Sequence, residues 1–116
     1  MIGIGIDAVD VERFGIVLAR RPAMATRLFT PGELARPAVR SLAARFAAKE
    51  AAMKALGVGL GAFGFHDVEV VRADSGAPSL AVTGRAADLA AAAGVSSWKV
   101  SLTHTDLIAE AIVVAL

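Results

Sequence analysis

The chain has 116 residues, 56 % of them apolar and 20 % charged, with a formal net charge of +1 and a mean hydropathy of +0.63. This balance supports a packed core and excludes disorder, and the absence of cysteine excludes disulfide frameworks, thiolate catalysis and Cys-ligated metal centres. The longest uncharged stretch, Ala55 to Phe65, is 11 residues with four glycines, short of the roughly 20 apolar residues of a membrane-spanning helix.

Ile2, Ile4 and Ile6 alternate with Gly3, Gly5 and Asp7, a period of two that predicts a strand with Asp7 near its end. The glycines leave one face bare, so another element can approach the backbone closely. Asp10 is placed to cap a helix running to about Arg20, with Phe14, Val17 and Leu18 on one side. Pro22 interrupts it, and a short helical piece over Ala23–Leu28 follows. Thr30-Pro31-Gly32-Glu33 carries the features of a capping box with proline at the first helical position. Residues Ser41–Leu56 predict the strongest helix, Ala-rich, capped by Ser41 and ended by Gly57. A glycine loop follows; it lacks the Lys-Ser/Thr of a phosphate loop. Asp67–Ala73 and Pro78–Thr83 read as two strands joined through Asp74-Ser75-Gly76, and Arg85–Ala93 as a helix ended by Gly94. Trp98–Thr105 and Ala109–Leu116 are the last strands. This order implies an α+β fold, an antiparallel sheet with helices packed on one side, in a single domain over residues 1–116. The N-terminus lacks the basic start and cleavage site of a signal peptide, so a cytoplasmic location with no membrane association is expected. The apolar excess in so short a chain also points to a surface covered by a partner subunit.

Charge is unevenly spread. Residues 1–54 hold nine basic and five acidic side chains, and residues 55–116 hold three and six. Between Arg13 and Lys49 only Glu33 opposes eight basic residues. A phosphate-rich small molecule, an acidic protein or nucleic acid would each suit this excess, as would a solvated arginine-rich face. No nucleic-acid-binding motif accompanies it, so nucleic acid is not expected as a partner. Arg13 and Arg20 lie seven residues apart, two helical turns, and project from nearly the same side. They are expected to dock an acidic partner.

The Ser41–Leu56 helix is apolar nearly all round, yet it carries Arg45, Lys49, Glu50 and Lys54. At about 100° per residue, Lys49 falls inside the arc of Met53 and Leu56, and Glu50 and Lys54 are one turn apart beside it. A wet Glu–Lys pair with a snorkelling Lys49 accounts for this pattern. So does a site in which Asp7 and Glu50 give two oxygens to Mg²⁺, which takes one or two protein carboxylates and completes its shell with water and phosphate oxygens. Nearby Lys and Arg would neutralise those phosphates. His104 has only His66 for company, too few histidines for a zinc site; its functional reading is a hydrogen-bond donor to phosphate.

Four stretches then resemble one family, the holo-acyl-carrier-protein synthases among the phosphopantetheinyl transferases. They are Gly3-Ile4-Gly5-Ile6-Asp7-Ala8-Val9 with Arg13-Phe14; Arg45-Phe46-Ala47-Ala48-Lys49-Glu50-Ala51-Ala52-Met53-Lys54; Ser75-Gly76-Ala77-Pro78; and Val100-Ser101-Leu102-Thr103-His104-Thr105. They occur in family order across essentially the whole chain. Ala77 stands where the family usually has a basic residue, and Thr103 where serine is usual. The resemblance implies a phosphopantetheinyl-transferase-like fold and transfer of 4′-phosphopantetheine from coenzyme A to a serine of apo acyl carrier protein, releasing adenosine 3′,5′-bisphosphate, in fatty acid or polyketide biosynthesis. It implies Mg²⁺ on Asp7 and Glu50; catalytic roles for Glu50, Lys54 and His104; and coenzyme A contacts from Arg45, Lys49, Lys54, Gly76, Pro78, His104 and Thr105. It also implies a homotrimer with active sites between subunits, and it makes acyl carrier protein the acidic partner of Arg13 and Arg20. The alternative is a non-enzymatic binder of coenzyme A or carrier protein on the same fold, against which the intact Asp7, Glu50 and Lys54 argue.

Overall fold

A computed structural model describes all of residues 1–116. Strand β1 (Gly3–Asp10) leads into helix α1 (Val11–Arg20), and α2 (Ala23–Leu28) and α3 (Pro31–Leu34) precede the long α4 (Val39–Leu56). A 3₁₀ turn at Phe65–Asp67 enters the hairpin β2 (Val68–Arg72) and β3 (Pro78–Val82). Helix α5 (Gly84–Ala92) and strands β4 (Trp98–His104) and β5 (Ile108–Ala115) complete the chain. The antiparallel order is β1-β5-β4, so β1 has one unpaired edge; β2 and β3 pair separately. The α+β class and the helices on one side of the sheet are as the sequence implies, and no helix is long and apolar enough to cross a membrane.

The element starts follow from local chemistry. Asp10 Oδ1 accepts a hydrogen bond from the Arg13 amide at 2.9 Å and caps α1. Thr30 and Glu33 close a capping box, with Pro31 in the first turn of α3. Gly57, at φ 69°, takes the left-handed conformation that ends α4. Two expectations need correcting. Helix α4 starts at Val39 with Ala38 at its cap, because the break comes from Pro37 upstream. The Ser41 hydroxyl instead accepts from Arg45 Nη1 at 2.6 Å. Strand β1 also runs three residues past Asp7, which therefore sits within the strand.

The bare face of β1 is where α4 lies. A Cβ on Gly3 would stand 1.9 Å from the Ala55 carbonyl oxygen, and one on Gly5 1.9 Å from that of Ala51. Helix α4 is buried along almost its whole length, with Ala43, Ala47, Ala48, Ala51 and Ala52 hidden among the sheet and its neighbours. Small side chains on both elements bring strand and helix backbones together. The opposite sheet face is uncovered: Ile2, Ile4 and Ile6 are 50–61 % exposed, and Ile112, paired with Ile6, is 37 % exposed.

Candidate active site

Strand β1 and helix α4 run antiparallel, Gly3 meeting Ala55 and Gly5 meeting Ala51. Two strand residues and four helix residues each advance about 6–7 Å, so the next position on this face of the strand, Asp7, lies beside the turn of α4 that carries Glu50. Lys54 closes the group. Its Nζ donates to the Ile6 carbonyl at 2.9 Å and to Asp7 Oδ1 at 3.2 Å. The Asp7 side chain is 19 % exposed and that of Lys54 is 55 % exposed. Burial, and next the neighbouring Asp7 carboxylate, push Glu50 above the usual carboxylate range, while Lys54 pulls it back. Two carboxylates and one ammonium therefore come together at the strand–helix contact.

Glu50 also lines a cavity of about 860 Å³ between α1, α2, α4 and the loop leading to β2. Phe14, Phe46, Phe63 and Phe65 make its apolar wall, and Arg13, Arg27 and Arg85 stand on its lining. Phe46 stacks between Phe14 and Phe65, with ring centroids 5.2 and 5.9 Å away. Arg27, Phe63, Phe65 and Arg85 are missed by the sequence reading. Arg27 falls in the basic run, but nothing in the linear pattern brings Arg85 to Arg13.

Lys49 is a correction. The sequence reading offers it as a snorkelling side chain or a coenzyme A ligand, but its ammonium is fully buried and donates to Glu33 Oε1 at 2.8 Å, the Phe65 carbonyl at 2.8 Å and the Val68 carbonyl at 2.6 Å. All three donors are used inside the fold, so none is free for a phosphate. Burial, against the pull of Glu33, lowers its affinity for its proton.

Arg45 is 3 % exposed and its Nε has no partner. It lines a second, smaller hollow of about 240 Å³ with Arg36, Arg72 and Glu69. Burial first, and then Arg72, weaken its hold on its proton. Arg72 donates to the Gly76 carbonyl at 2.8 Å across the β2–β3 turn, where Gly76 has φ 88° and Pro78 opens β3. Arg45, Gly76 and Pro78 thus belong to the hairpin end of the molecule.

His104 is exposed at the end of β4, paired with Ala109 of β5 and two strands from β1. One chain does not bring it to Asp7 and Glu50. The hydroxyl of Thr105 accepts from the Leu107 and Ile108 amides, each at 3.1 Å, and shapes the β4–β5 turn. Arg13 and Arg20 are exposed on α1, with Phe14 packed beneath them.

The 4′-phosphopantetheinyl transferase superfamily model matches residues 3–113. A holo-[acyl-carrier-protein] synthase of Frankia casuarinae is 52 % identical over 117 residues, covering 99 % of this chain and 97 % of the relative. That of Streptomyces coelicolor is 52 % identical over 120 residues, with the same coverage. Among solved structures, holo-[acyl-carrier-protein] synthase from Neisseria meningitidis superimposes with a TM-score of 0.90 at 32 % identity, covering 100 % of this chain and 98 % of that one. The Helicobacter pylori enzyme in complex with coenzyme A gives 0.87 at 31 % identity, covering 97 % and 99 %. A fold whose strand–helix contact assembles Asp7, Glu50 and Lys54, matched along essentially its full length, places the chain in the 4′-phosphopantetheinyl transferase superfamily.

Proposed function

We propose that this protein transfers 4′-phosphopantetheine from coenzyme A to a serine of apo acyl carrier protein, as a holo-acyl-carrier-protein synthase. The observation that carries the reading is the convergence of Asp7, Glu50 and Lys54 in a chain about half identical to proteins of that name.

The paired carboxylates suit Mg²⁺: they are hard oxygen donors, and Asp7 raises the Glu50 pKa, so the two negative charges act on each other. Asp7 and Glu50 would hold the ion, which when bound supplies charge neutralisation to the pyrophosphate. Lys54, already at Asp7, adds a second positive charge. Glu50, or a water it orients, is placed to take the serine proton. Arg45 fits a coenzyme A phosphate, because its buried Nε is left without a partner beside Arg36 and Arg72. Gly76, Pro78 and Thr105 remain with it as coenzyme A contacts.

His104 reaches the phosphates from a neighbouring subunit. The uncovered Ile2, Ile4, Ile6 and Ile112 face supplies the apolar surface for a homotrimer with active sites between subunits. Arg13 and Arg20 dock the acidic carrier protein, and the cavity that Arg13 lines leads to Glu50. The protein works in the cytoplasm, in fatty acid or polyketide biosynthesis. Mass spectrometry of apo acyl carrier protein incubated with coenzyme A, Mg²⁺ and this protein tests the reading: a gain of one phosphopantetheine is expected, and an unchanged carrier would overturn it.

A further inference from the structure

Glu33 and Lys49 form a buried ion pair that has no task in the transfer itself. Both side chains are fully buried, and their bonds run in four directions. Lys49 holds the Phe65 and Val68 carbonyls at the two ends of the 3₁₀ turn. Glu33 Oε1 accepts from the Thr30 amide at 3.0 Å, and Oε2 accepts from the Val70 amide at 3.0 Å. The pair ties α3, the middle of α4 and the start of β2 into one unit.

Stability alone is a poor reason to keep such a pair. Burying two charges costs several kcal/mol per ion, and well-packed apolar replacements are often neutral or stabilising. Phe29, whose ring centroid lies 5.8 Å from the ammonium, and the buried Ala52 and Met53 one turn further along α4 are apolar, while Glu69 and Arg45 act on Lys49 only through charge. What the pair supplies is direction, and two parts of the active site take their direction from it. Glu50 follows Lys49 on α4, about 100° around the helix axis, and interacts with Asp7 and Lys54 through charge, without a hydrogen bond to either. Its aim is set by the rotation of α4. Phe65 lines the same cavity as Glu50 and stacks on Phe46, and its carbonyl is one of the three ends of the Lys49 ammonium.

We infer that the buried Glu33–Lys49 pair is a positioning device for the transfer: it locks α4 against the Phe65–Val68 segment so that Glu50 is held toward Asp7 and the cavity that Glu50 and Phe65 line keeps its width. The inference rests on the transferase reading. Lys49 and Glu33 are positioning residues, touching neither substrate nor metal.

The test compares native protein with the charge-free double variant Glu33→Gln/Lys49→Met. Four quantities are measured: Tm, kcat, KM for coenzyme A, and Mn²⁺ affinity by EPR titration. The expected result is a folded protein with Tm near native and KM for coenzyme A within about twofold, but with kcat and Mn²⁺ affinity each lowered about tenfold. A folded double variant with native kcat and native Mn²⁺ affinity would overturn the inference and leave the pair a packing element. If the double variant does not fold, the single Glu33→Gln variant is read by the same two outcomes. Failure of the native protein to modify carrier protein would instead remove the transferase reading itself.

Discussion

Gly5 faces the backbone of Ala51 at a distance that admits no side chain: the first carbon of any other residue would sit 1.9 Å from the Ala51 carbonyl oxygen. The obstacle is backbone, so no rotamer change relieves it. Gly5→Ala is expected to cost about 3 kcal/mol and to lower Tm by roughly 10 °C or more, read by calorimetry. A near-native Tm would mean that strand and helix separate easily, and that their contact does not fix the site.

Asp7→Ala and Glu50→Ala are each expected to reduce transfer by about 10²–10³ or more while leaving the far-UV spectrum unchanged. Neither side chain belongs to the buried core, and each variant removes one of the two carboxylates that act on each other at the site. Near-normal turnover in either variant removes that residue from the mechanism.

The raised Glu50 pKa has a pH signature in the metal-free protein. A glutamate whose folded pKa exceeds its unfolded value keeps its proton longer in the native state. Its contribution to stability is present below the ordinary carboxylate value and is lost as pH rises through the folded value. Because burial is the larger cause and Asp7 the second, Asp7→Asn should move the Glu50 carboxyl titration, followed by ¹³C NMR, part of the way back down. An unchanged midpoint would mean that the two carboxylates do not interact.

Subunit mixing tests the shared active site. Asp7→Ala and His104→Ala proteins are each expected to be inactive, and co-refolding them should restore part of the activity, since some sites then pair a native Asp7 with a native His104 from another chain. Ile6→Lys, placed in the exposed apolar face opposite Ile112, should shift light scattering toward monomer and abolish turnover. A fully active monomer would refute the arrangement.

Reversing Arg13 and Arg20 to Glu should raise the KM for carrier protein about tenfold with the KM for coenzyme A little changed, an effect that shrinks as salt is added. A selective loss of coenzyme A affinity would assign this basic helix to the other substrate.

Much of this fold is legible along the chain because its signals are local. Alternating Ile and Gly mark β1, Thr30 and Glu33 mark a capping box, and Gly57 marks a helix end. The proximity of Asp7 and Glu50 is legible too, since a carboxylate on a bare strand face and another on an apolar helix are each costly to bury alone. What fails is what depends on distant partners. The angular position of Lys49 is correct, but its ammonium is claimed by Glu33, 16 residues away, and by two carbonyls further on. Ser41 has the chemistry of a cap, and Pro37 decides the start instead. For His104, sequence gives the strand and the residue; its distance from Asp7 follows from the β1-β5-β4 order, which no local pattern encodes.

The bond from Lys54 to the Ile6 carbonyl gives that lysine a second consequence, for solubility. Strand β1 lies at the margin of its sheet, and an uncovered margin invites pairing with a stray strand from another chain. An ammonium seated on a β1 carbonyl blocks such pairing with a hydrated positive charge. The lysine that pairs with Asp7 thereby also guards against aggregation, and replacing it with an apolar residue should leave a chain that precipitates sooner on concentration.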